Sequence, residues 1–309
     1  MKRFVKRLVK AVLPKSIYSS LRRHYESVRF RVHLWKRNIV VGVKSALSIP
    51  VKKRQDRINF GFHITEHCNL NCASCNNFSP LAETEFIDVD EFTRDIERMG
   101  ELFGHVCDRV RLLGGEPLLH PEIIRILETA RRTFRTGAVR LLTNGTLLTR
   151  QSPEFWRACH DNRVTIAVTH YPIPIDTVKI RELAAEYDVE LECSEEAVSV
   201  FFVEPVNLKG DGDCRKNFAL CGRANTCPII RHGRLFTCTF APNVHNFSRK
   251  FGVDIPVSEA DSIDIYDENM SSDEIFRRLI EPIPACRFCD MNSRPVKWHV
   301  SEGSISEWQ

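Results

Sequence analysis

From residue 58 the chain alternates between two rhythms. Short apolar and β-branched runs are separated by stretches whose apolar residues recur every three or four positions. The strand-like runs are "INFGFHIT", "RVRLLGGE", "AVRLLTNG", "RVTIAVTHY", "VELECS" and "SVFFVEP". The helical ones are "DVDEFTRDIERMGELFG", "HPEIIRILETARRTF", "PEFWRACHD" and "DTVKIRELAAEYD". Such alternation predicts a parallel sheet with crossover helices, built on about six strands within residues 58–206. The chemically unusual residues follow the strands, where α/β barrels keep their active sites. After residue 206 the chain turns irregular, short-stranded and cysteine-rich as far as Cys289. There "CPIIRHGRLFTC" predicts a β-hairpin turning at His232-Gly233. A two-residue loop sets residue 231 opposite 234, which carries Cys227 opposite Cys238.

A different pattern precedes the barrel. Phe4, Val5, Leu8, Val9 and Val12 recur at helical spacing, and Lys2, Arg3, Lys6, Arg7 and Lys10 cover the other face until Pro14 breaks the helix. Leu21, Tyr25, Val28, Val32, Trp35 and Ile39 repeat the pattern. Residues 1–57 hold 17 Lys/Arg against Glu26 and Asp56, whereas the remaining 252 residues hold 27 Lys/Arg against 38 acids. A basic amphipathic arm on an acidic body predicts an anionic surface as partner, and the interface of a membrane suits it. The alternative is a solvated arm packed loosely on the body. Nucleic acid is disfavoured, because no aromatic-basic pattern of an RNA-binding module accompanies the charge.

Lys6, Arg7 and Lys10 interrupt any signal-peptide core, and no uncharged run approaches the roughly 20 residues of a membrane span. The expectation is a cytoplasmic protein, peripheral on the inner face of the membrane through residues 1–57. In a reducing compartment, 12 cysteines speak for metal or redox chemistry rather than disulfides.

Cys68, Cys72 and Cys75 follow the first strand as C-x3-C-x2-C. Three thiolates suit a zinc site with one open position or three irons of a four-iron cluster. The end of the second strand, "LLGGEPLLHP", weighs on this choice. Its glycines allow close backbone approach and Glu116 adds a carboxylate. With these two motifs together, residues 58–206 resemble the radical S-adenosylmethionine (radical SAM) superfamily. The resemblance implies a partial (β/α)6 TIM-like barrel. Cys68, Cys72 and Cys75 would hold a [4Fe–4S] cluster, with S-adenosylmethionine chelating the open iron. Gly114, Gly115 and Glu116 would bind the amino end of that cofactor, and Asn144 its ribose or methionine portion. Thr169 and His170 are weaker candidates, the histidine being explained at least as well by packing. The family usually carries an aromatic residue before the third cysteine, but here that position is Ser74, with Phe78 nearby as a substitute. The implied chemistry is reductive cleavage to a 5′-deoxyadenosyl radical, fed by an electron donor such as flavodoxin or ferredoxin.

The second cysteine group reads "CRKNFALCGRANTCPIIRHGRLFTC", then "ACRFCD". Opposed hairpin residues at 227 and 238 lie close enough for one metal centre, and Cys286 with Cys289 would complete four thiolates. By spacing alone a structural zinc site is an equal reading. G-x4-C from Gly233 to Cys238, followed by the late C-x2-C, resembles the twitch domain, a shortened SPASM extension of radical SAM enzymes. That implies a second, auxiliary [4Fe–4S] cluster. SPASM-type spacing favours Cys221 as its first ligand, whereas hairpin geometry favours Cys227, which is preferred. Cys214 and Cys221 then become candidates for hydrogen-atom donation or substrate contact. Cys107, Cys159 and Cys193 read as core residues.

The expected organisation is a basic helical arm (1–57), a radical SAM core (58–206) and an irregular twitch/SPASM-like domain (207–309). The basic helices, "HCNLNCASCNNFSPLAE", "LGGEPLLHP", "CPIIRHGRLFTC", "CRFCD" and the terminal "EW" also resemble radical SAM proteins of bacterial surface-polysaccharide loci. This implies a sugar or nucleotide-sugar substrate, with epimerisation, dehydrogenation or dehydration open. Two alternatives stand beside it. One is a peptide-modifying maturase, against which no peptide-docking domain is evident before the barrel; the other is a zinc-binding interaction protein without enzymatic activity.

Overall fold

Five strands run parallel in the order expected of successive β-α units. They are β1 (Ile58–Thr65), β2 (Cys107–Gly114), β3 (Ala138–Thr143), β4 (Val164–Val168) and β5 (Leu191–Cys193). The crossovers are α1 (Val89–Phe103), α2 (Ile123–Thr133), α3 (Pro153–Asp161) and α4 (Thr177–Glu186). The computed structural model describes residues 32, 39, 40 and 52–309. Of the basic arm expected over residues 1–57, the apolar stripes lie outside the described residues but for Val32, Ile39 and Val40, which are helical and exposed. Residues 1–51 and 52–309 are separate units, and the second carries everything that follows. Among the described residues no helix is long and apolar enough to cross a membrane.

Local chemistry sets the helix starts. Asp88 accepts from the amides of Asp90 and Glu91 ahead of α1, and Ser152 accepts from Phe155 ahead of α3, where Pro153 takes the first turn. Phe92, Ile96 and Met99 of α1 and Ile126, Leu127 and Ala130 of α2 are fully buried. They share one apolar core with Phe60 and Phe62 of β1, Val110 and Leu112 of β2, Val139 and Leu141 of β3 and Ile166 of β4. Side chains alternate along a strand, so the intervening positions face the barrel interior. One tier of that inner face is polar, with Arg111, Arg140 and Thr165 level with Gly61 across β1 to β4, while Leu113, Leu142 and Ala167 occupy the next tier toward the strand ends.

The sixth parallel strand corrects the sequence expectation. The run "SVFFVEP" forms β6 (Val200–Val203), which leaves the barrel and pairs antiparallel with β10 (Arg294–Lys297) in a separate two-stranded sheet. The sixth parallel partner is β7 (Ile229–Arg231), on the other side of β1. Burial explains the exchange. All three residues of β7 are buried, as a strand covered on both faces requires, whereas Val200 and Phe202 of β6 remain 46% and 45% exposed. The main sheet therefore runs β5-β4-β3-β2-β1-β7-β8-β9, with β8 (Arg234–Phe236) and β9 (Ser262–Asp264) antiparallel at one edge.

The hairpin turns where expected, with Arg231 opposite Arg234. His232 and Gly233 both have positive φ, at 48° and 68°, as a two-residue turn matched to the strand twist demands. Asp95 of α1 accepts from the Gly233 amide at 2.8 Å and fixes the turn to the barrel. The expected pairing of Cys227 with Cys238 does not form. The ladder ends at Ile229 and Phe236; Pro228 has no amide hydrogen to extend it, and its carbonyl accepts instead from Gly61 of β1. Asn225, three residues short of the ladder register, donates to the Thr237 carbonyl, so the chain between is diverted toward the barrel.

Three further helices, α5 (Cys214–Leu220), α6 (Phe240–Phe251) and α7 (Ser272–Arg278), complete the described unit. Val244 and Phe247 of α6 pack with Phe78, Phe288 and Trp308 in a second apolar cluster, which ties the loop after β1 to the C-terminal segment.

Candidate active site

The chain leaves β1 into a loop that would be hard to hold by itself. Asn71, Ser74 and Phe78 all have positive φ, at 50°, 56° and 54°. The C-terminal segment holds it. The Ala73 amide donates to the His299 carbonyl at 3.0 Å, and the Ser301 amide donates to the Asn71 carbonyl at 2.7 Å. The Ser74 hydroxyl donates to the Glu307 carbonyl, and Trp308 Nε1 donates to the Cys75 carbonyl at 3.0 Å. Cys68, Cys72 and Cys75 thereby line one cavity of about 290 Å3 at the C-terminal ends of the strands.

The end of β2 closes one side of this cavity. A side chain at Gly114 would place Cβ 2.2 Å from the Thr65 carbonyl oxygen, and one at Gly115 would place it 2.0 Å from that of His67. The glycines thus let two strand ends cross in contact. The Gly115 and Glu116 amides are used there, donating to Thr65 and His67 at 2.7 and 2.9 Å. Glu116 is buried, which pushes its carboxyl pKa up. It accepts from Thr143 Oγ1 at 2.6 Å and from the amides of Asn144 and Leu118 at 2.8 and 3.2 Å. A carboxylate has about four acceptor positions, so one remains for an incoming donor such as an ammonium group.

Asn144 donates to Asn69 Oδ1 at 2.9 Å and reaches the Cys68 thiol at 3.8 Å. Thr169 also lines the cavity, its amide bound to the Thr143 carbonyl at 2.9 Å. His170 contacts the Ser194 carbonyl at 3.3 Å and does not line the cavity. Phe78 does not take the place expected of it. Its ring packs against Phe240, Phe247 and Trp308 and faces a second cavity. The aromatic residue on the first cavity is Tyr171, whose ring lies 6.0 Å from that of Trp298.

The three thiols face the same cavity. Burial pushes Cys68 up to about 11 and Cys72 up to about 12, and the neighbouring thiols add to both shifts. Donors oppose this: the Leu70 and Asn71 amides at Cys68, and Trp298 Nε1 at 3.1 Å from Cys72 Sγ. Without cations these thiols keep their protons, whereas metal coordination deprotonates a thiol outright. Three thiols on one cavity, with N–H donors on the sulfurs of Cys68 and Cys72, fit an iron–sulfur cluster whose fourth iron is open.

Behind the loop lies a buried ionic network. Glu66 meets His63 Nδ1 at 2.7 Å, Arg231 at 3.3 Å and Asn246 Nδ2 at 3.0 Å. Burial alone would raise its pKa; the His63 hydrogen bond and charge, then Arg231 and Asn246, outweigh that and hold it at about 2. The network links β1, β7 and α6 directly beneath the cysteine loop.

The second cavity is lined by Cys221, Cys238, Cys286 and Cys289. Asn217 of α5 donates to the carbonyls of Cys286 and Cys289 at 3.0 and 2.7 Å, and the Ala224 amide donates to Cys221 Sγ at 3.3 Å. Burial pushes Cys238 up to about 11; Cys286 and Cys289 are also raised, by burial and then by Cys238. Asn76, Arg223 and Thr239 line both cavities, so the two thiol groups share a wall. Cys227 lies on the first cavity, not the second, with Arg111 Nη1 3.4 Å from its sulfur. Neither hydrogen-donor candidate, Cys214 or Cys221, lines the first cavity. Cys214 faces the Pro284 carbonyl at 3.6 Å on neither cavity, and Cys221 caps α5 on the second.

Sequence reasoning missed Tyr171, Trp298, Arg223 and Arg111. Arg111 carried a signal, a charge at the interior parity of "RVRLLGG". Trp298 carried none, because 226 residues separate it from the sulfur it meets.

Residues 62–198 match the family model described as the radical SAM superfamily. The chain carries a radical SAM domain. It is 36% identical over 88 residues to GTP 3′,8-cyclase of Chlorobaculum tepidum, covering 28% of this chain and 26% of that protein. It is 31% identical over 93 residues to the subtilosin biosynthesis protein AlbA of Bacillus subtilis, covering 30% and 20%. The matched stretches thus span less than a third of these relatives. Among solved structures, BtrN in complex with AdoMet and 2-DOIA covers 77% of this chain and 94% of its own, at 15% identity and a TM-score of 0.44.

Proposed function

We propose that the protein is a radical SAM enzyme that abstracts hydrogen from a C–H bond of a sugar or nucleotide-sugar. The observation that carries the substrate class is a charged residue on the cavity wall, Arg111 of β2. Arg111 continues a polar tier with Arg140 and Thr165, which are themselves paired with Glu192 and Glu190 and do not line the cavity; an apolar substrate would leave Arg111 unsatisfied. Cys68, Cys72 and Cys75 would hold the [4Fe–4S] cluster, with Glu116 and Asn144 positioned toward the amino acid end of S-adenosylmethionine. Bound there and reduced, the cofactor supplies a 5′-deoxyadenosyl radical. The protein's share would be to hold the cluster loop under the C-terminal segment, orient the substrate against Arg111 and exclude water.

A second cluster on Cys221, Cys238, Cys286 and Cys289 is part of the same reading. These four side chains line one cavity, and Cys221 replaces Cys227 as the expected fourth ligand. Among the described residues no three His, Cys, Asp or Glu side chains close on a single point as one metal ion requires. Zinc needs sulfurs about 2.3 Å from one ion, whereas a cluster takes one thiolate per iron and spreads them wider. A one-electron donor of the flavodoxin or ferredoxin class would serve both sites, and the basic arm would hold the enzyme at an anionic membrane.

The test is anaerobic incubation of the reconstituted protein with S-adenosylmethionine, reductant and panels of nucleotide-sugars and peptides. 5′-Deoxyadenosine should rise above the uncoupled background with a nucleotide-sugar. A rise with peptides alone would replace this reading with that of a peptide maturase.

A further inference from the structure

Arg111 stands on the inner face of β2, level with Arg140 of β3. The two arginines differ in their partners. Arg140 meets the carboxylate of Glu192, and Arg223, which also lines the cavity, meets Glu204. Among the described residues Arg111 donates through Nη1 to the Cys227 thiol alone, while its Nε and Nη2 are shut off from solvent with no acceptor. The acid on the cavity, Glu116, has three of its acceptor positions filled by Thr143, Asn144 and Leu118. A guanidinium buried without a counter-ion is costly, and its Nε–Nη2 edge is a planar fork matched to two oxygens of a phosphate or carboxylate. That edge is left without a partner, whereas Arg140 leaves only its Nε unpaired.

We propose that Arg111 is a binding residue for an oxyanion of the substrate, taking a phosphoryl group through Nε and Nη2 so that the sugar attached to it lies toward Cys68, Cys72 and Cys75. The assignment rests on the reading that this cavity is the substrate site. It narrows the substrate class to phosphorylated or nucleotide-linked sugars and disfavours neutral ones. The same fork would accept a carboxylate, and S-adenosylmethionine carries one, so the test separates the two sources.

Binding is measured by calorimetry on the anaerobically reconstituted protein, with UDP-glucose, glucose 1-phosphate, inorganic pyrophosphate, uncharged glucose and S-adenosylmethionine as probes. The expected result is binding of at least one phosphate probe, no binding of glucose, and a tenfold or greater loss of phosphate affinity in Arg111→Gln. Arg111→Lys should lose less, and S-adenosylmethionine should bind all three proteins within twofold. A tenfold loss for S-adenosylmethionine with unchanged phosphate binding would assign the fork to the cofactor and overturn the proposal. Failure of every phosphate probe to bind wild type at millimolar concentration would overturn it as well. Should Arg111→Gln not fold, the wild type still decides. A phosphate probe seated on Arg111 should slow alkylation of Cys227, read by peptide mass spectrometry, and leave Cys193 on β5 unaffected; equal labelling counts against it. None of these readouts uses radical chemistry, so loss of 5′-deoxyadenosine formation would strike the proposed function and leave this assignment to its own result.

Discussion

At the scale of single residues, the division of labour between Cys221 and Cys227 carries the sharpest prediction. If both thiol groups hold four-iron clusters, the protein contains about eight irons. Alanine at 68, 72 and 75 together should leave about half the iron, with an iron–sulfur spectrum. Adding Cys221→Ala should then strip the remaining iron, because Cys221 lines the second cavity with Cys238, Cys286 and Cys289. Adding Cys227→Ala should not, because that sulfur faces Arg111 in the first cavity. The opposite outcome in iron and sulfide analysis would return the ligand role to Cys227. Glu66 gives a pH prediction. Its carboxyl, held at about 2, lies well below its ordinary value near 4.5. A depressed acid contributes stability above the unfolded pKa and loses it as pH falls through the folded one. The contribution at pH 7 is on the order of 3 kcal/mol, at about 1.4 kcal/mol per unit. Glu66→Gln should lower stability by that order at pH 7, and the gap from wild type should shrink between pH 4.5 and 2. Paired urea titrations across this range check it; a gap constant with pH would mean the Glu66 charge contributes nothing.

At the scale of elements, the C-terminal segment is what the linear pattern concealed. Residues 294–308 pair with β6, meet the cysteine loop at Ala73, Ser74 and Cys75 and bring Trp298 to Cys72. Trp308 is 2% exposed among Phe78, Phe247 and Phe251. Trp308→Ala should cost about 3–5 kcal/mol of packing and leave the loop loose, with faster loss of iron from the first site under chelator. Trp308→Phe keeps most of the packing and removes one hydrogen bond, at about 1 kcal/mol, and should retain iron much longer. Chelator kinetics matching wild type in both variants would refute the clamp. The β-α alternation, the hairpin turn and the C-x3-C-x2-C loop were all legible, because each depends on residues close in sequence. The exchange of β6 for β7 was not. Both runs are apolar and short, and only competition for a place beside β1, decided by burial on both faces, separates them. Cys227 escaped for a related reason: extrapolating the ladder assumed that it continued past Pro228, and a proline cannot donate to it.

At the scale of the whole molecule, charge is the one property that sets residues 1–57 apart from all that follows, with 17 Lys/Arg against two acids beside a body in which acids outnumber bases. Basic residues near an anionic bilayer contribute about 1 kcal/mol each, falling off within a Debye length of about 8–10 Å, and the apolar stripes add burial at the interface. The intact protein should therefore co-sediment with vesicles containing phosphatidylserine, weakly or not at all with neutral ones, and less as salt rises from 0.1 M toward about 1 M, where screening shortens to about 3 Å. Deleting residues 1–40 should abolish co-sedimentation and leave the iron content unchanged, because every described contact of the cysteine loops lies within residues 52–309. If the truncated protein sediments with anionic vesicles as well as the full chain does, the arm is a solvated extension. Binding that survives high salt would instead place the weight on the apolar stripes of Phe4, Leu8 and Val12 over the lysines and arginines around them.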